Sequence, residues 1–104
     1  MAFIPLASLQ QLRDGFRAQV RVDRMSLLLL QHDGKVYIIE NRCPHMDASL
    51  NDAPVDAQGR IRCRSHGIAF DLNSGRADGP LAGVLDCLKR FVPVYEGNKV
   101  GVEV

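Results

Sequence analysis

The chain has 104 residues, enough for one domain and short for two. Thirteen Lys and Arg against twelve Asp and Glu leave a formal charge of +1, which argues against the strongly basic footprint of a nucleic-acid or anionic-membrane binder. Hydrophobic residues at 46% and charged residues at 24% exclude a disordered tail, and no apolar run exceeds the four residues of Leu27–Leu30, far short of a bilayer span. No basic region followed by a long apolar stretch opens the chain, so no secretory signal is read and a cytoplasmic protein is expected. Three cysteines are an odd count, which disfavours a disulfide scaffold and points to metal binding, catalysis or core packing.

In chain order, Ser8 followed three residues later by Gln11 predicts a capping box and one short helical turn, with Gly15 as its stop. From Phe16 to Asp23 the alternation is strict. Phe16, Ala18, Val20 and Val22 take one face, and Arg17, Gln19, Arg21 and Asp23 the other, solvated face of a half-buried strand. Met25–His32 and Lys35–Glu40 flank Asp33-Gly34, a two-residue hairpin signal. Between Asn41 and Ala82 short strands, Arg60–Cys63 and Ile68–Asp71, alternate with turn-rich pieces such as Asn51–Pro54, Asn73–Gly75 and Asp78–Pro80. A second β block, Leu85–Tyr95 and Lys99–Val104 joined by Glu96-Gly97-Asn98, closes the chain. The expectation is an all-β fold of one domain, 1–104. A small antiparallel β sandwich or barrel (residues 1–40 and 83–104) carries an inserted loop-rich subdomain at about 41–82.

The chemistry concentrates in that insertion. Cys43-Pro44-His45 is followed, after seventeen residues, by Cys63-Arg64-Ser65-His66-Gly67. A lone Cys-x-His reads as a buried thiol beside a surface imidazole; two pairs in the same order, each at a Pro- or Gly-bearing turn, read as a metal site. A structural zinc accepts two sulfur and two nitrogen ligands. So does a [2Fe-2S] cluster with two cysteines on one iron and two histidines on the other. Zinc modules tend to pair like ligands, whereas here each loop carries one of each, which favours the cluster.

With Phe70-Asp71, Ser74-Gly75, Pro80 and the closing Pro93-Val94-Tyr95, these motifs resemble the Rieske-type [2Fe-2S] ferredoxins over nearly the whole chain. The resemblance implies that Cys43 and Cys63 hold an inner iron, that His45 and His66 hold an outer iron near the surface, and that Pro80 lies in a third covering loop. Rieske proteins of cytochrome complexes add a disulfide between the two loops; Ala48 and Ser65 stand at those positions here. The hydroxyl residues that bond cluster or cysteine sulfur in those proteins are replaced by Ile68 and Phe70. Fewer hydrogen bonds to sulfur lower the potential, so a value of roughly −150 mV is expected. Arg64, where proline is common, has no account.

The remaining features take plainer readings. Met46, Ile68 and Leu81 suit either a docking surface around the histidines or loop packing. Arg60, Arg62 and Arg64 alternate opposite Ile61 and Cys63 and read as a solvent face, with steering of an acidic partner as a weaker alternative. His32 is a surface histidine, and Cys87 a packed or edge thiol in a late strand. No nucleophile motif or paired carboxylates mark a catalytic site. The expected function is that of a soluble, monomeric one-electron carrier, not itself an enzyme. It would pass electrons from a flavin-dependent reductase to a terminal oxygenase of the aromatic-ring-hydroxylating type, docking near His45 and His66 and binding neither nucleic acid nor membrane. The alternatives are the small subunit of an assimilatory NAD(P)H nitrite reductase and a zinc-stabilised interaction module.

Overall fold

The computed structural model describes residues 2–42, 49–63, 67–77 and 87–103. Among the described residues nine strands form three antiparallel sheets. β1 (Phe3–Ser8), β9 (Lys99–Glu103) and β8 (Val94–Glu96) make the first, in the order β1-β9-β8. β2 (Arg17–Val22), β3 (Met25–His32), β4 (Lys35–Glu40) and β7 (Arg90–Phe91) make the second, in chain order. β5 (Arg60–Arg62) and β6 (Ala69–Asp71) form a small hairpin of their own, extended by isolated bridges from Val55 to Ile61 and from Phe70 to Ala77.

The Met25–Glu40 hairpin has the expected boundaries. Asp33 and Gly34 both take positive φ, 51° and 79°, the geometry of a type I′ turn whose twist matches the strands it joins. The Asp14 carboxylate pins this turn from outside, accepting from Gly34 N at 2.9 Å and Gln31 Nε2 at 3.0 Å. Those bonds, the Gln31 amide first, hold the Asp14 carboxyl below its ordinary pKa.

Three local expectations are corrected. The Ser8 capping box is present, but the 3-10 turn covers only Leu9–Gln11 and stops at Leu12; Gly15 instead opens the approach to β2, its N–H donating to Gln31 O at 3.0 Å. Asp23 leaves the strand and takes φ 54° in the two-residue turn to β3. The segment expected as one strand over Leu85–Tyr95 is divided. Its described part gives β7 and β8 with Val92 and Pro93 between, as a proline that cannot donate to a ladder demands when the chain crosses from one sheet to the other. Cys87 therefore lies ahead of β7, exposed, and not in a strand.

Two apolar cores share β3. Leu27 and Leu29 face a core between the two larger sheets, with Leu6, Val22, Ile38, Val100 and Val102. Leu28 and Leu30 face the other way, into a core with Ile39 from β4 and Leu50, Ile61, Cys63, Phe70, Leu72 and Leu88. All four leucines of β3 are at most 1% exposed, which is why this strand reads as a continuous apolar run instead of an alternation.

Candidate metal centre

Of the four expected ligands, Cys63 lies among the described residues. Cys43, His45 and His66 lie outside them, as do Met46, Ala48, Arg64, Ser65, Pro80 and Leu81. Among the described residues no three His, Cys, Asp or Glu side chains converge to hold a metal ion, as follows when three ligands of a set fall outside.

What the structure does define is the footing of the segments that carry them. The first, 43–48, is closed by Asn41, a polar residue only 7% exposed. Its side-chain oxygen accepts from Leu50 N at 2.8 Å and Ser49 Oγ at 3.2 Å, while its backbone N–H donates to Ser26 O at 2.8 Å. One side chain thus ties the departure of the segment to its return and both to β3. Arg17 reinforces the return, its guanidinium donating to the carbonyls of Asn51 (3.0 Å), Leu50 (3.4 Å) and Ala53. Alternation had assigned Arg17 to solvent. The insertion meets the Arg17 end of that face, so the guanidinium reads carbonyls in place of water, while Gln19 and Arg21 on the same face stay exposed.

The second segment, 64–66, is bracketed by the β5–β6 hairpin. Cys63 N donates to Ile68 O and Gly67 N donates to Cys63 O, both at 2.8 Å. Arg62 Nη1 also bonds the Gly67 carbonyl, and Arg60 Nε bonds Asp56 Oδ2 at 3.1 Å, so these arginines brace the hairpin beyond forming its outer face. The Asp56 carboxylate accepts from Gln58 N and from Arg60 N and Nε. The Arg60 backbone N–H is the main cause holding its carboxyl below the ordinary pKa.

The third segment, 78–86, is bracketed by Leu88 N donating to Gly75 O at 2.6 Å. Gly75 has φ 79°, and a Cβ built on it would stand 2.5 Å from the Leu88 carbonyl, so only glycine permits this closure. The Ser74-Gly75 pair of the sequence motif is therefore a backbone requirement.

The three footings meet. Leu50, Cys63, Ala77 and Leu88 belong to one apolar cluster with Phe70, to which Ile68 adds a half-buried side chain. Cys63 is wholly buried there, and the two side chains that stand where other proteins place hydroxyls, Ile68 and Phe70, are hydrocarbon. A thiolate so placed is shielded from water and suits a soft metal centre. His32, expected at the surface, is half-buried in the β3–β4 hairpin, and Cys87 is exposed.

Comparison with known proteins agrees with this architecture. The family profile described as "Rieske [2Fe-2S] domain" matches residues 2–91. The ferredoxin component of the alkene monooxygenase system of Xanthobacter autotrophicus is 28% identical over 98 residues, covering 94% of this chain and 78% of that protein. The ferredoxin component of the naphthalene 1,2-dioxygenase system of Pseudomonas aeruginosa is 28% identical over 102 residues, covering 98% and 95%. Among solved structures, a chain from the complex of reduced oxygenase and oxidized ferredoxin in carbazole 1,9a-dioxygenase superposes with a TM-score of 0.80 at 25% identity, covering 96% of this chain and 91% of that one.

Proposed function

This chain belongs to the Rieske [2Fe-2S] domain family, and we propose that it carries single electrons from a flavin-dependent reductase to a terminal oxygenase of the aromatic-ring-hydroxylating type. It is an electron-transfer component, not a catalyst on its own. The observation that carries the reading is the convergence of three loop footings on the wholly buried Cys63.

The family's cofactor is a [2Fe-2S] cluster, which supplies reversible one-electron chemistry when bound. The residues fit it. Two thiolates, Cys43 and Cys63, would hold the inner iron, and two imidazoles, His45 and His66, the outer one. Cys63 enters from a hairpin whose hydrogen bonds fix its backbone on both sides. Asn41, Arg17 and Gly75 fix the described flanks of the other two segments, a footing that would limit reorganisation when the charge changes. Ile68 and Phe70 exclude water and offer no hydroxyl to sulfur, which favours the more oxidised state. Outer-iron imidazoles would be the natural exit for the electron, and Ile68, half-buried beside the core of the insertion, would be an apolar contact for a docking partner. We read the chain as one cytoplasmic, monomeric domain with its cluster subdomain at about 41–82. Among the described residues no helix is long and apolar enough to cross a membrane.

Purified protein is expected to be brown-red, with a rhombic EPR signal on reduction and a midpoint of roughly −150 mV. Cys63→Ser should lose the colour, and mixing with the reductase and oxygenase of the host should give turnover that depends on this chain. A colourless protein holding one zinc, or a midpoint well above zero, would contradict the assignment.

A further inference from the structure

The second sheet has an edge that its last strand covers only in part. β7 pairs with Ile38 and Ile39 alone, while β4 runs on through Tyr37, Val36 and Lys35 to the hairpin turn. Backbone groups along β4 alternate in direction. Glu40 N donates toward the β7 side, to Lys89 O at 2.9 Å, so Ile38 and Val36 face that side too. The same alternation follows from the turn, whose flanking pair His32–Lys35 is the hydrogen-bonded one in a two-residue hairpin. The N–H and C=O of Val36 therefore point out past the end of β7, where Val92, 80% exposed, and Pro93 lead the chain away.

A groove of about 340 Å³ lies along this edge, and Val36, Phe91 and Val92 give it accessible apolar walls. Among the described residues its charges are of one sign: Lys35 and Arg90 line it and no carboxylate does. Among the described residues neither cation makes an ion pair; Lys35 Nζ bonds only the neutral Asn73 Oδ1, at 3.2 Å, and lies over the Tyr37 ring. Lys89, over the Phe91 ring, adds a third positive charge next to Arg90.

We propose that this groove receives an extended acidic segment of a partner protein, which adds to β4 as a short strand through Val36 and places its carboxylates against Lys35 and Arg90. Open backbone groups select an extended chain, apolar walls take its alternate side chains, and the unneutralised cations select its charge. The site lies along β4, whose far end leads into the first ligand segment. A bound strand would tether a partner beside the cluster subdomain. The inference is independent of the electron-carrier reading because binding is measured without electron transfer.

The test is fluorescence anisotropy of a labelled peptide alternating valine with glutamate, titrated with the coloured, cluster-loaded protein. Saturable binding that weakens as salt rises is expected. The Lys35→Glu/Arg90→Glu variant should weaken it roughly tenfold with an unchanged visible spectrum. Val36→Pro, which removes the outward N–H and spares the β3 ladder, should weaken it as well. No saturation at millimolar peptide, equal binding of a valine–lysine peptide, or equal binding of inorganic polyphosphate would overturn the proposal. So would a self-association seen in sedimentation that the peptide does not disperse, because the edge would then be a contact between two copies of this chain.

Discussion

Asn41 does more than any other single polar side chain among the described residues to organise the candidate centre. It is buried, and its oxygen satisfies the otherwise enclosed Leu50 N–H. Asn41→Ala strands that donor in an apolar core, and the expected cost is about 1–3 kcal/mol. Thermal unfolding monitored by visible absorbance should show the cluster colour lost at a lower temperature than in the parent. An unchanged midpoint would mean that water replaces the amide. Nothing in the sequence marked this residue or Arg17. Asn41 follows a strand and precedes a Cys-Pro turn, so it resembles any loop asparagine, and its role exists only because Ser26 and Leu50 are brought beside it by pairings far apart in the chain. Cys63 is the opposite case: its motif singles it out because metal chemistry constrains residue type and spacing directly, and the structure places it wholly buried in the core of the insertion.

At the level of elements, legibility followed how local the determining physics is. The β3–β4 hairpin was readable to the residue because an Asp-Gly turn and its flanking strands are set within sixteen consecutive positions. The capping box was readable for the same reason, although its helix was shorter than the distance to the next glycine suggested. The Leu85–Tyr95 segment was misread because its apolar pattern spans a sheet-to-sheet crossing that only Pro93 betrays. Arg17 was misread because alternation tells which residues share a face but not what covers it. The double burial of β3 yields a prediction at this scale. Leu28→Ala and Leu29→Ala should cost similar amounts, each about 2–5 kcal/mol, yet loosen different halves. In native-state hydrogen exchange the first should deprotect Ile61 and Phe70, and the second Val100 and Val102. The same deprotection pattern from both would show that the two cores open together.

For the molecule as a whole, acid stability rests in part on two carboxylates bonded to neutral and cationic donors. Both Asp14 and Asp56 are held below the ordinary aspartate value. A lowered folded-state pKa means the stabilisation is complete above the unfolded-state value, about 4, and is lost as pH falls through the lower folded-state values. The Asp14→Asn/Asp56→Asn variant should therefore melt below the parent at neutral pH, and the gap should close as pH falls below about 4. A gap that stays constant down to about pH 3 would remove these two groups from the acid response.

The shared strand has a consequence for how such a chain comes into being. Leu28, Leu30 and Ile39 place an apolar patch on one face of the second sheet, bordered by Arg17 and Gln19 of β2, and the insertion buries that patch. A nascent or demetallated chain whose insertion has not closed would display it to solvent, and a greasy face of that kind invites association with other chains. The sandwich is thus no free-standing platform onto which a metal module was set. Growth under iron limitation is therefore expected to shift this chain toward the insoluble fraction, and an equal yield of soluble, colourless protein would show that the shared core closes without the cluster.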